Sequence, residues 1–152
     1  MDEFDRRILQ RLQSDARTTS EDIAEAVGLS ATAVQRRIKR LRAQGALLSE
    51  VALIDPAAVG LTLRVIVGIE LIQGGRADLI DRFKRRMAAQ PQVQQCYYVA
   101  GEYDFMLIVL ARDVQDYERL SRALWFEDEN IKRFTTTFVL DGVKVGLQVP
   151  VD

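Results

Sequence analysis

Ser30–Gln44, SATAVQRRIKRLRAQ, carries Arg36, Arg37, Lys39, Arg40 and Arg42 and no acidic residue. Its apolar positions Val34, Ile38 and Leu41 fall at i, i+4 and i+7, which is one stripe on a helix. At about 100° per residue, Thr32, Arg36, Lys39 and Arg40 lie roughly opposite that stripe. Ser30 suits the N-cap, and Gly45 is placed to end the helix. One face of such a helix docks on a small core, and the other is left to meet a polyanion.

The residues before it supply that core. Asp2 caps a first helix running to about Ser14, with Phe4, Ile8, Leu9 and Leu12 on one side. Thr19 followed by Asp22 resembles a capping box, so a short second helix spans about Ser20–Val27, with Ile23, Ala24 and Val27 inward. Gly28 gives the sharp turn and Leu29 plugs the core before Ser30. This is a helix-turn-helix pattern with the basic helix in the reading position. A three-helix protein-interaction bundle is the alternative, and the charge of the third helix favours DNA.

Charge is divided unevenly along the chain. Residues 1–45 hold nine Lys+Arg against seven Asp+Glu, and residues 46–152 hold twelve against fifteen. The basic excess is thus local to one helix, which argues against a protein that coats DNA without sequence preference. There is no histidine, so the commonest acid–base residue and metal ligand is missing, and no catalytic or metal-binding residue is expected. Cys96 is the single cysteine, which excludes an intrachain disulfide and fits a reducing cytoplasm. The acidic start MDEFDRR has no apolar run of the signal-peptide kind, and no stretch reaches membrane-spanning length.

Beyond the basic helix, Leu47–Leu53 reads as a strand, which Asp55-Pro56 breaks. The expected division is a helix-turn-helix domain with hinge strand over 1–53, a linker over 54–61 and a second domain over 62–152. Leu61, Leu63, Val65, Val67, Ile69 and Leu71 alternate at period two as a strand. Arg76–Gln90 is helical, with Leu79, Ile80, Phe83 and Met87 inward. Val93–Ala100 and Tyr103–Ala111 are strands, and Gly101-Glu102 fits a two-residue hairpin turn. Asp113–Trp125 is a helix, Ile131–Leu140 a strand, and Val143–Val149 a short fifth strand. The order is βαββαβ, the split βαβ arrangement, and the whole is an α+β protein. Two helices cover one face of a four-stranded sheet. Tyr103–Ala111 is apolar on both phases, so a second subunit is expected over the other face, most simply by two-fold symmetry. The alternative is that the amino-terminal helices fold over it.

Asp5-Arg6-Arg7-Ile8-Leu9, Leu12-Gln13, Val27-Gly28-Leu29-Ser30, Val34, Arg37-Ile38-Lys39-Arg40-Leu41 and Gly45 together resemble the Lrp/AsnC family of transcriptional regulators. In the second half, the run Cys96-Tyr97-Tyr98-Val99-Ala100-Gly101-Glu102-Tyr103-Asp104-Phe105 looks like the signature hairpin of that family. Thr136-Thr137-Phe138-Val139-Leu140 with Val143-Lys144 looks like its last strand. The resemblance implies a winged or extended helix-turn-helix domain joined by a hinge strand to a ferredoxin-like effector-binding domain. It implies dimers that often assemble into octamers, an amino acid or related small metabolite at subunit interfaces, and no cofactor.

For DNA, Thr32, Gln35 and Arg36 are the expected base readers, Gln toward adenine and Arg toward guanine. Thr19 and Ser30, at helix starts, suit phosphates, as do Lys39 and Arg40. Arg37 and Arg42 fit either a solvated flank or an ion pair. For the effector, the resemblance points to the hairpin Tyr98, Ala100, Gly101, Glu102, Tyr103 and Asp104 and to the strand hydroxyls Thr135, Thr136 and Thr137. Asp104 would meet an ammonium, while amides near Gly101 and the threonines would meet a carboxylate. Asp104 as a local turn residue is the competing reading. The family usually carries Ser or Thr where this chain has Ala100, so that hydroxyl is missing. Two other functions bear on the same residues. An architectural DNA-binding protein would need no effector, and siroheme decarboxylases resemble the family in fold but rely on histidines that this chain lacks.

Overall fold

Thr19 and Gly28 fix the two ends of the short helix between them. The Thr19 hydroxyl accepts the Asp22 amide at 3.1 Å, and Gly28 takes the left-handed φ of +76° that a side chain would resist. In the computed structural model, which describes residues 1–151, this helix is α2 (Ser20–Val27), between α1 (Glu3–Ser14) and α3 (Ala31–Ala43). Ile8, Leu12, Ile23, Ala24, Val27, Val34 and Leu41 form their common core, with Leu9, Leu29 and Ile38 packed on its edge. Ser30 caps α3 by accepting the Ala33 amide. Asp2 and Asp5 begin α1 with a reciprocal capping box.

The second unit is built on β1 (Leu63–Leu71), whose alternation decides its faces. It continues through α4 (Ala77–Ala88), β2 (Val93–Tyr98), β3 (Phe105–Ala111), α5 (Val114–Ser121) and β4 (Ile131–Phe138). The strands form one antiparallel sheet in the order β2-β3-β1-β4, with Val67 opposite both Leu107 and Thr136. Val65, Val67, Ile69, Phe105, Leu107 and Val109 are fully buried against Phe83 and Met87 of α4 and Tyr117 of α5. Both helices therefore cover one face. The other face carries Ile66, Gly68, Met106, Ile108, Thr135 and Thr137.

Several expectations change. Leu47–Leu53 and Val143–Val149 form no strand with any described residue, although Leu48, Val51, Leu53, Val143, Val145, Leu147 and Val149 are exposed in both stretches. Alternation supplies the pattern of a strand but not the partner that would accept its hydrogen bonds. The chain divides into Met1–Leu53 with Lys144–Asp152, and Ile54–Val143. The final residues thus group with the helices rather than with the sheet. The Gln13 side chain holds them, donating to the Val149 carbonyl at 2.9 Å and accepting the Val149 amide at 3.0 Å. Within the expected linker, Pro56–Val59 is one turn of 3-10 helix capped by Asp55. The helix begun at Val114 changes at Arg122–Phe126 into a π-turn. The β2–β3 connection is not a two-residue turn. The Val99 amide reaches the Asp104 carbonyl at 2.9 Å, closing a wider loop around Ala100–Tyr103. No helix among the described residues is long and apolar enough to cross a membrane.

Candidate DNA and effector sites

The basic face of α3 is less charged than its sequence. Arg37 is clamped by Asp2 and Asp5, at 2.7 and 2.8 Å, with its guanidinium 5.4 Å over the Phe4 ring. Arg40 reaches both oxygens of Asp5 at 2.7 Å. Arg42 pairs with Glu50. Among the described residues, Arg36 and Lys39 have no ion-pair partner, and both are exposed, as are Thr32 and Gln35. Arg37 and Arg42 are thus ion-paired, the second of the two readings open to them. Arg40, expected at a phosphate, is held by a carboxylate while its side chain stays 48% exposed. The hydroxyls of Thr19 and Ser30 are engaged as caps, so a phosphate at these helix starts would meet backbone amides.

Asp5 is the hub of this arrangement, and it is only 1% exposed. Burial works to raise its carboxyl. The Asp2 amide and the Arg37 guanidinium outweigh burial and hold it below the ordinary carboxylate value. Asp2 is lowered too, first by the Asp5 amide and then by Arg37. The sequence reading used Asp2 only as a cap and gave Asp5 no role. An acidic residue in the first turn of one helix, paired with cations more than thirty residues away, leaves no local signal.

In the second unit the predicted effector residues divide between the faces of the sheet. Thr135 lies opposite Gly68 and Thr137 opposite Ile66, on the face away from the helices. Thr136 points the other way, where its hydroxyl meets Tyr117 at 2.6 Å. Tyr98 stands on the helix side of edge strand β2, its ring 5.1 Å from Phe105 and 4.7 Å from the Lys84 ammonium. Thr136 and Tyr98 therefore do not share a site with Thr135 and Thr137, because adjacent strand residues point to opposite faces.

The open face gathers a different group. Gly68 makes room for Tyr103: a Cβ there would come within 2.8 Å of the Tyr103 ring and 2.9 Å of the Thr135 hydroxyl. The Arg133 guanidinium lies 5.8 Å over the same ring and pairs with Glu70 and Glu102 at 3.2 and 3.1 Å. The Asp104 carboxylate accepts the Leu71 amide at 2.7 Å, and its other oxygen sits 2.8 Å from where a Cβ on Gly74 would stand. The Asp104 amide also donates to the Ile69 carbonyl at 2.8 Å. Asp104 thus fixes the hairpin to the end of β1, the turn role, and keeps one oxygen beside the Gly74 backbone. Ala100, Gly101 and Glu102 are exposed at the tip of the same loop. Glu70 and Arg133 are the members that the sequence reading missed. Their only signal was opposite charge at positions that become cross-strand partners in one register.

Comparison with known proteins covers both units. Residues 1–42 match the AsnC-type helix-turn-helix domain and residues 64–149 the Lrp/AsnC ligand binding domain. The chain is 42% identical over its whole length to an HTH-type transcriptional regulator of Sinorhizobium fredii, covering 89% of that protein. An AsnC family transcriptional regulator from Agrobacterium tumefaciens superposes with a TM-score of 0.92 at 30% identity, over 99% of this chain and 97% of that one. A transcriptional regulator from Neisseria meningitidis, crystallised as a complex with L-Met, superposes with a TM-score of 0.93 at 26% identity, over 100% of this chain and 97% of that one.

Proposed function

Because the chain belongs to the Lrp/AsnC family of transcriptional regulators, we propose that residues 1–53 read specific duplex DNA and that residues 62–152, joined through 54–61, bind an amino acid or related small metabolite that controls the reading. The observation that carries the DNA assignment is the contrast on α3. Arg37, Arg40 and Arg42 are held by carboxylates, while among the described residues Arg36 and Lys39 have no ion-pair partner and stand exposed with Thr32 and Gln35. Thr32, Gln35 and Arg36 then read base edges. Lys39, Arg40 and the helix starts at Thr19 and Ser30 meet phosphates.

The effector site consists of the hairpin Ala100–Asp104 with Thr135 and, across the open face, Thr137. The L-Met complex of the Neisseria relative supports an amino-acid ligand. Arg133 and the hairpin amides offer donors for a carboxylate, and the free Asp104 oxygen offers an acceptor for an ammonium. In the single chain Ala100, Gly101, Glu102, Arg133 and Thr137 are exposed and Asp104 and Thr135 half-buried, and a half-buried apolar face adjoins them at Ile66, Met106 and Ile108. A second copy of the chain covers that face, and paired dimers assemble further, toward an octamer. An effector bound at such a contact acts through its differential affinity for two assemblies, and so changes the spacing of the DNA-reading helices. The protein works in the cytoplasm.

The test begins with Arg36→Ala. Competition binding to a duplex selected by the wild-type chain should show discrimination relaxed by about 1–3 kcal/mol at one base pair. Equal weakening on every sequence would remove Arg36 from the readout. Titration with a panel of L-amino acids, read by light scattering and DNA binding together, tests the second unit. A panel that altered neither assembly nor affinity would leave an architectural DNA-binding protein.

A further inference from the structure

We infer that Asp5 is a positioning residue of the DNA-binding surface: it fixes Arg40 in place for a phosphate and withdraws Arg37 from the DNA. The inference rests on the assignment of α3 to DNA given above. Asp5 is 1% exposed, and its own position is set by the reciprocal cap, its amide on Asp2 and the Asp2 amide on its carboxylate, at 2.9 and 3.0 Å. A carboxylate held in this way cannot follow a mobile cation, so the cations come to it. Arg37 gives one nitrogen to both carboxylates, is 19% exposed and has Phe4 beneath it. Arg40 gives Asp5 a single terminal nitrogen and remains 48% exposed. A guanidinium has five N–H donors in a rigid fork, so the outer edge of Arg40 stays available to an anion.

The benefit is order. A free arginine loses side-chain freedom when it binds a phosphate, and at an interface that loss weakens affinity. In Arg40 the loss has already occurred on folding. The Asp5 carboxylate also offsets the charge of Arg40 beside Arg36 at i−4, where two free like charges would repel. Arg36 is then free to take the geometry that a base edge requires.

The experiment uses the full chain and a duplex selected from a random pool by the wild-type protein, with affinity measured across a range of salt. Arg40→Ala should lower the slope of log affinity against log salt by about 0.9, the release expected for one phosphate contact, whereas Arg37→Ala should leave it unchanged. Asp5→Asn should weaken binding to the selected duplex between about twofold and tenfold, and that loss should vanish when Arg40→Ala is already present. A merely structural Asp5 would give the same loss in both backgrounds, and that result overturns the inference. So would equal slope changes for Arg37→Ala and Arg40→Ala, a comparison that stands even if Asp5→Asn does not fold. If Arg36→Ala relaxes sequence preference while Arg40→Ala leaves the slope untouched, only this inference fails. If neither variant has its effect, the assignment of α3 to DNA fails with it.

Discussion

Asp5 and Asp104 each tie two elements together, but at different depths. Asp5 is buried, and its carboxylate oxygens are engaged by Arg37, Arg40 and the Asp2 amide. Asp104 is half-buried, spends one oxygen on the Leu71 amide and has the other beside Gly74. The first carboxylate joins α1 to α3, the helix that presents Arg36 and Lys39 to solvent. The second stands at the edge of an apolar face that the chain itself leaves half-covered. On the proposed function, a unit that reads a rigid duplex can be finished in advance, whereas a unit that responds to a ligand keeps bonding capacity in reserve.

Three measurements test this contrast, beginning with the largest effect. Phe105 is fully buried, with its ring 4.5 Å from Phe83 and 5.1 Å from Tyr98. Phe105→Ala should destabilise the sheet unit by about 3–5 kcal/mol. Thermal unfolding of the full chain should then show an early transition that leaves most of the helix-turn-helix signal in place. A single lowered transition would mean that the two units do not unfold separately.

Gly68→Ala should cost about 1–3 kcal/mol, because its methyl group would overlap the Tyr103 ring and the Thr135 hydroxyl. It should damage the response to an amino acid more than it damages stability. Calorimetric titration beside thermal unfolding would separate the two. An intact response with Tyr103 displaced would remove Tyr103 from the site.

The smallest effect is in acid. Asp2 and Asp5 sit below their ordinary value of 3.8 in the folded chain. Between the folded and unfolded values the unfolded state binds more protons. The stabilisation is therefore complete above about pH 4 and is lost as pH falls through the folded values. Hydrogen exchange of α1 and α3 between about pH 5 and pH 3 should show it. Asp5→Asn should flatten that dependence, and an unchanged profile would show that the pairing contributes nothing to folding.

The sequence was most readable where structure is local. The ends of α2 follow from Thr19, Asp22 and Gly28, and the faces of β1 follow from six alternating apolar residues. Reading was poorest where a partner lies far along the chain. Asp5 bonds Arg37 and Arg40 across 32 and 35 positions. The width of the β2–β3 loop depends on bonds from Asp104 to Ile69 and Leu71 in another strand. Leu47–Leu53 and Val143–Val149 alternate as strands do, but alternation cannot supply the neighbour that would accept their hydrogen bonds. The separation of Thr136 from Thr135 and Thr137 was available from parity alone, since neighbouring strand residues never share a face. Fold class and the reading helix were legible for local reasons, and the ion-paired hub and the Arg133 cluster were not.

The aromatic residues are divided in the same way as the chain. Trp125 and all four tyrosines, Tyr97, Tyr98, Tyr103 and Tyr117, belong to the sheet unit, and the helical unit has Phe4 alone. Trp125 is 1% exposed, with Phe134 6.3 Å away and Tyr117 6.2 Å away. Intrinsic indole fluorescence therefore comes from one unit and is silent about the other. An emission change on adding a metabolite would report from the sheet, and duplex DNA bound by the helices would alter it only if the two units communicate. The wild-type chain carries its own optical probe of coupling, with no label attached.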